Sequence, residues 1–212
     1  MDRREHWENI HATKGPNDVS WFEPRASRSL ALIERMTPDR ATAIIDVGAG
    51  ASTLVDSLLD SGYRNIKVLD ISAAALDRAR QRLGERAASV EWIEADILST
   101  DLPAATVDVW HDRAVFHFLT SETDRARYVE QLRSALRPGG YAIIATFAED
   151  GPTRCSGLDI VRYSGTALHD TLGHDFLPVS DTHELHHTPW GAEQAFTYCC
   201  FRYEPAQRPN GA

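Results

Sequence analysis

The stretch Ile44-Ile45-Asp46-Val47-Gly48-Ala49-Gly50-Ala51-Ser52-Thr53 carries a β-branched apolar run straight into a Gly-x-Gly, then small residues, then a helical pattern over Thr53–Ser61. That order reads as a buried strand, a tight turn and a helix. Glycine lets the backbone bend sharply and approach a ligand closely, and the helix after it offers unpaired N–H groups at its positive end. Any sharp strand-to-helix junction favours glycine, so residues elsewhere must say what the turn holds. The dinucleotide fingerprint G-x-G-x-x-G would put a third glycine at position 53, where this chain has Thr53, which weakens a pyrophosphate reading.

Outward from the turn, short runs rich in β-branched and aromatic residues recur at Ala43–Val47, Ile66–Leu69, Val90–Ile93, Val107–Trp110 and Tyr141–Thr146. Helical patterns separate them at Ala73–Leu83 and Glu122–Leu136, and Leu136-Arg137-Pro138-Gly139-Gly140 reads as a glycine turn that stops the second of these. Alternation of this kind predicts a parallel sheet covered on both faces. Beyond Thr146 comes a loop, Phe147–Leu158, a helix near Thr166–Leu172, and two strands, Val179–His187 and Phe196–Tyr203, joined by Thr188-Pro189-Trp190-Gly191 as a closing hairpin. The expected fold is α/β: a doubly wound, Rossmann-like, seven-stranded sheet with a C-terminal antiparallel β-hairpin. Residues 1–40, with a helical pattern through Leu30-Ala31-Leu32-Ile33, form a helical extension, and residues 41–212 the main domain, one domain overall.

Composition narrows the partners. A formal net charge of −9 repels polyanions, so a nucleic-acid footprint is disfavoured. The one basic run, Arg78-Ala79-Arg80-Gln81-Arg82, reads as a solvated helix face. No apolar run approaches the ~20 residues that cross a bilayer, and the N-terminus MDRREHWENIH has no secretory apolar region, so a cytoplasmic location away from membranes is expected. Cys155, Cys199 and Cys200 do not make a disulfide framework.

Three carboxylates sharpen the reading of the turn. Asp70 ends the second strand 22 positions after Gly48, where it either accepts from both hydroxyls of a ribose or caps the helix that begins near Ser72. Asp96, in Glu94-Ala95-Asp96-Ile97, either accepts from an adenine amino group while the Ile97 N–H meets a ring nitrogen, or is a solvated loop acid. Asp46 is buried at the end of an apolar strand, which is costly unless it has a partner such as a ligand's ammonium.

Taken in order, IIDVGAGAST, LDIS at Leu69–Ser72, EADI at Glu94–Ile97 and LRPGG at Leu136–Gly140 resemble the motif series of the class I S-adenosylmethionine-dependent methyltransferases. The resemblance covers roughly Ala43 to Thr146 together with the terminal hairpin. It implies S-adenosylmethionine as cofactor and S-adenosylhomocysteine as product. Asp46, Gly48 and Gly50 would then line the methionine portion, Asp70 the ribose, and Asp96 with Ile97 the adenine, with Ala49, Ser52, Thr53, Ile71 and Arg113 completing the set. The family often has a third glycine where this chain has Ser52, which is also small. The segment from His6-Trp7 through Lys14 to Trp21-Phe22 is similar to the lid of several small-molecule methyltransferases.

The acceptor side is rich in titratable groups. After the fourth strand, Trp110-His111-Asp112-Arg113-Ala114-Val115-Phe116-His117 offers His111 or His117 as a base, with Asp112 beside them, or alternatively a packed layer with a local Asp112–Arg113 pair. The D/N-P-P-aromatic signature of nucleic-acid amino methyltransferases is absent at this place. Arg154 can hold an acidic group, and Cys155 is a thiol or a small hydrophobe. The hairpin brings His183, His186 and His187 to the rim, with His187 as a further candidate base, and His186, Trp190, Trp21 and Phe22 as pocket walls. Polar lining is favoured there over a metal site. The leading expectation is methyl transfer to a small-molecule or protein side-chain acceptor. The alternatives are a protein lysine methyltransferase, an NAD(P)-dependent oxidoreductase and a non-catalytic S-adenosylmethionine-binding module.

Overall fold

The computed structural model describes residues 2–206. In chain order the elements are α1 (Arg3–Thr13), α2 (Ser27–Met36), β1 (Ala43–Val47), α3 (Leu54–Asp60), β2 (Asn65–Asp70), α4 (Ala73–Leu83), β3 (Val90–Glu94), β4 (Val107–Arg113), α5 (Glu122–Ala135), β5 (Leu136–Phe147), β6 (Arg154–Cys155), β7 (Leu158–Asp159), α6 (Gly165–Leu172), β8 (Phe176–His187) and β9 (Glu193–Tyr203). Seven strands form one sheet in the order β3-β2-β1-β4-β5-β9-β8. The first five are parallel, and β9 and β8 add antiparallel. This is the expected doubly wound sheet closed by its hairpin.

Helices on both faces explain why β1 reads as a continuous apolar run. On one face α2, α3 and α4 bring Leu30, Ile33, Leu54, Leu58 and Leu76 against Ile44, Val68 and Val109. On the other, α5 and α6 bring Tyr128, Leu132, Leu168 and Leu172 against Trp110, Ile144 and Phe176. The strand order reverses direction between β1 and β4, and in open α/β sheets the crevice for ligands opens at the C-terminal ends of the strands on either side of such a switch.

Three expectations change in detail. LRPGG is not only a turn: α5 ends at Ala135, and Leu136 already pairs with Val107, the register then slipping before Tyr141 pairs with Val109. Gly139, at φ +81°, carries the resulting bulge. The Phe147–Leu158 loop contains the two-stranded ladder β6–β7, turned by Ser156 and Gly157 at positive φ. The N-terminal forty residues also divide: α2 belongs to the layer that covers the sheet, and α1 and the segment up to Glu23 lie over the crevice.

Candidate active site

Beyond the ends of β1, β2 and β4 lies a cavity of about 170 Å³. The glycine turn forms its floor. Gly48 and Gly50 both sit at positive φ, +62° and +56°, where a side chain would be strained. A Cβ on Gly48 would come within 1.9 Å of Val115 Cγ2, and one on Gly50 within 3.2 Å of the His11 ring. The turn is held from outside by Arg82, which donates to the carbonyls of Ala51 (2.9 Å) and Ser52 (2.6 Å) and pairs with Asp56. The basic run is therefore not merely a solvated face. In the same run, Arg78 reaches the Lys14 carbonyl at the end of α1.

Asp70 ties β2 to this turn. Its Oδ2 accepts from the Gly50 N–H at 2.7 Å and its Oδ1 from the Ser72 N–H at 2.8 Å. The N-cap of α4 is Ser72, which accepts from Ala75, so Asp70 is not the cap. Burial raises the Asp70 carboxyl to about 6, against the opposing pull of the two backbone N–H donors and with nearby Asp46 adding to the rise. At the other end of the cavity, Asp96 accepts from the Leu98 N–H at 2.9 Å and faces Arg3 of α1 at 3.6 Å.

Asp46 and His111 face each other across the switch point, being paired in register on β1 and β4. Asp46 Oδ1 lies 2.7 Å from His111 Nδ1, and His111 Nε2 lies 2.9 Å from Ser29 Oγ on α2, all within the buried interior. The second carboxylate oxygen of Asp46 is buried with no partner.

α1 roofs the cavity. Glu8 accepts from the Ser72 hydroxyl at 2.7 Å and from the Ala74 N–H at 3.2 Å, fixing α1 to the start of α4, and Arg4 pairs with Glu94. Trp7 then packs edge-on against Trp21 and Phe118, with ring centres 6.0 and 5.0 Å away, and His11 beside it. Burial, reinforced by Arg78, lowers His11 to about 4, so this ring is neutral at pH 7.

Of the residues singled out from sequence, Asp46, Gly48, Ala49, Gly50, Ser52, Thr53, Asp70, Ile71, Asp96, Ile97, His111, Arg113, Trp21, Phe22 and Cys155 all line this cavity. Arg113 is held by Tyr198, the Trp21 carbonyl and Glu23, at 2.8, 3.0 and 3.0 Å. Burial works against the charge on both members of the Arg113–Glu23 pair. Their hydrogen bonds and mutual attraction, with His186 also bonding to Glu23, outweigh it, so Glu23 lies below the usual carboxylate range and Arg113 above the usual guanidinium value. Burial pushes the Cys155 thiol up, which leaves it an un-ionised small group.

Six candidates lie elsewhere. Asp112 points to the opposite face, where it accepts from Tyr128 (2.5 Å) and from the Val115 and Phe116 N–H groups, and makes no pair with Arg113. Alternation along β4 is the reason, since neighbours project to opposite faces. His117 is fully buried, accepts from the Phe147 N–H, and is lowered to about 3 by burial, so it is a packed neutral ring. Arg154 is exposed on its small ladder, paired with Asp159. β8 lies three strands from β4, roughly 14 Å away at the usual interstrand spacing. His187, paired with Glu193, and Trp190, 59% exposed, therefore sit on the outer hairpin rather than at the crevice. His186 lies behind the wall, bonding the Ser20 carbonyl at 2.6 Å and facing Glu23. No group of three His, Cys, Asp or Glu side chains among the described residues is arranged to hold a metal ion.

Residues 44–140 match the methyltransferase domain family. The chain is 26% identical over 172 residues to the eEF1A lysine and N-terminal methyltransferase of Danio rerio, an alignment covering 80% of this chain and 25% of that one. It is 32% identical over 149 residues to the malonyl-[acyl-carrier protein] O-methyltransferase of Halalkalibacterium halodurans, covering 67% of this chain and 53% of that one. The chain thus spans between a quarter and about half of these relatives' lengths. Its fold superposes, with a TM-score of 0.70 and 18% identity, on the N-methyltransferase NodS of Bradyrhizobium japonicum in complex with S-adenosylhomocysteine, covering 96% of this chain and all of that one. The fold and the glycine-turn crevice are those of an α/β protein of the doubly wound type. Within that type, the match over residues 44–140 and the likeness to methyltransferases in sequence and fold support a class I S-adenosylmethionine-dependent methyltransferase.

Proposed function

We propose that this protein transfers a methyl group from S-adenosylmethionine to a small-molecule acceptor. The observation that carries the reading is the unpartnered, buried oxygen of Asp46 in a cavity that also holds the Gly48–Gly50 turn, Asp70 and Asp96. A buried anionic oxygen without a donor is costly, and the ammonium of a methionine moiety supplies one. Asp70 would accept from the ribose hydroxyls and Asp96, with Ile97, would hold the adenine edge. Thr53 in place of a third fingerprint glycine goes against a nicotinamide dinucleotide. When bound, the cofactor supplies an electrophilic methyl group on a sulfonium.

The chain's own contribution is position and dryness. Trp21, Phe22 and Arg113 line the cavity, and Arg113 and Glu23 are engaged by protein partners, as is His111. Holding the acceptor in line and excluding water under the α1 roof are then the means by which transfer is promoted. A second reading, a protein lysine acceptor, draws support from the similarity to the Danio rerio enzyme. The net charge of −9 disfavours a nucleic-acid acceptor, and the three free, buried cysteines fit a reducing, cytoplasmic setting. No helix among the described residues is long and apolar enough to cross a membrane.

Incubation with S-adenosylmethionine labelled in its methyl group, against pooled metabolites in one arm and cell protein in the other, tests the proposal. Label transferred to the small-molecule fraction is the expected result. Label only in protein favours the lysine reading, and label in neither overturns transfer as the function.

A further inference from the structure

We infer that His111 is a positioning residue for the cofactor's amino group, acting through Asp46 rather than on the methyl acceptor; this rests on the cofactor reading above. A carboxylate only accepts hydrogen bonds, so the 2.7 Å contact with Asp46 Oδ1 places a hydrogen on His111 Nδ1. Its other ring nitrogen, Nε2, lies 2.9 Å from the Ser29 hydroxyl. Both ring nitrogens face protein partners, and Ser29 is 1% exposed, so neither nitrogen is directed at a methyl acceptor.

What the chain Ser29–His111–Asp46 does achieve is to fix a rotamer. Asp46 and His111 are in register on adjacent strands, so Nδ1 captures Oδ1 and leaves Oδ2, on a residue that lines the cavity, buried without a partner. A carboxylate free to rotate would present either oxygen, or share one ammonium between poorer geometries, and a ligand would have to order it on binding. Because Ser29 belongs to α2, the layer that packs on the sheet also sets the amino-group subsite.

The test compares two ligands that differ in the amino-acid portion. S-adenosylhomocysteine has the ammonium, and 5′-methylthioadenosine keeps the nucleoside and loses it. Calorimetric titration of the wild-type chain, His111→Ala, His111→Asn, Asp46→Asn and the double variant D46N/H111A, with thermal unfolding of each, is expected to give three results. His111→Ala weakens S-adenosylhomocysteine by about tenfold or more while 5′-methylthioadenosine stays within about twofold. His111→Asn, whose amide can donate from nearly the Nδ1 position, recovers most of that loss. The double variant D46N/H111A loses no more than D46N alone, as expected when one residue acts through the other. Equal weakening of both ligands by His111→Ala, no recovery in His111→Asn, or additive losses in the double variant would overturn the role of His111 while leaving the cofactor reading intact. A wild-type chain that binds neither nucleoside would overturn the cofactor reading and this inference with it.

Discussion

Replacing Asp70 with Asn changes one atom at the centre of the site, and the structure sets the size of the effect. The carboxylate has two backbone donors to satisfy, Gly50 N–H at 2.7 Å and Ser72 N–H at 2.8 Å, and it is 5% exposed. An amide has one oxygen, so one of the two buried N–H groups must face an NH₂ instead. Such a loss costs about 1–3 kcal/mol, or roughly 2–12 °C in Tm for a chain of this size. The charge-assisted bonds proposed to the ribose hydroxyls would disappear as well, worth about 1.5–3 kcal/mol, which is roughly a 10- to 150-fold loss of affinity for S-adenosylhomocysteine. The pH dependence follows from burial raising the Asp70 carboxyl to about 6. Above pH 7 the acceptor is ionised and affinity is flat; as pH falls through about 6 it takes up a proton and affinity drops. For folding the sign is opposite. The raised folded value means that the native state holds this proton more tightly than the unfolded chain, so the group's contribution to stability falls as pH rises from about 4 through about 6. Calorimetric titrations between pH 5 and pH 8 should show the drop in the wild type and a flat, weaker profile in Asp70→Asn. Equal affinity and the same pH profile in both proteins would refute the assignment of Asp70 to the ribose.

Gly48→Ala should lower stability by about 2–5 kcal/mol, from the left-handed backbone at φ +62° and the overlap with Val115; thermal unfolding reads it, and adding Val115→Ala should recover the overlap part alone. Glu8→Ala removes the acceptor that fixes α1 to Ser72 and Ala74, so hydrogen exchange in α1 should quicken and S-adenosylhomocysteine should dissociate faster, with α4 left folded. His187→Ala, on the outer hairpin, should leave cofactor affinity and turnover within about twofold; a tenfold loss of turnover would return that ring to the acceptor site.

The floor of the site was legible because it is local. The turn IIDVGAGAST, Asp70 at the end of β2 and Asp96 after β3 each lie at the C-terminal end of a parallel strand, and strand periodicity alone brings those ends together. The parallel strands and α4 were equally legible, since buried parallel strands carry continuous apolar runs and a covering helix carries an apolar stripe at helical spacing. The walls were not. Glu23, Ser29 and His11 meet the site only through tertiary packing of polar N-terminal residues, and nothing in their spacing distinguishes them from surface side chains. Arg82 was hidden in the same way, as one arginine of an exposed-looking run. The histidines of β8 misled for the opposite reason. The sequence places them at the correct end of the sheet, but strand order, which puts β9 between β5 and β8, moves them beyond the crevice. Asp112 and Arg113 are neighbours in sequence, yet the pleat sends them to opposite faces, one to Tyr128 and the other to Glu23.

The most direct measurement is calorimetric titration of the purified wild-type chain with S-adenosylhomocysteine and, separately, with NAD. A site built on Asp46, Asp70 and Asp96 under α1 predicts micromolar binding of S-adenosylhomocysteine and none of NAD. Binding of NAD alone would contradict it, leaving a nucleotide crevice at the glycine turn but assigning it to hydride rather than methyl chemistry.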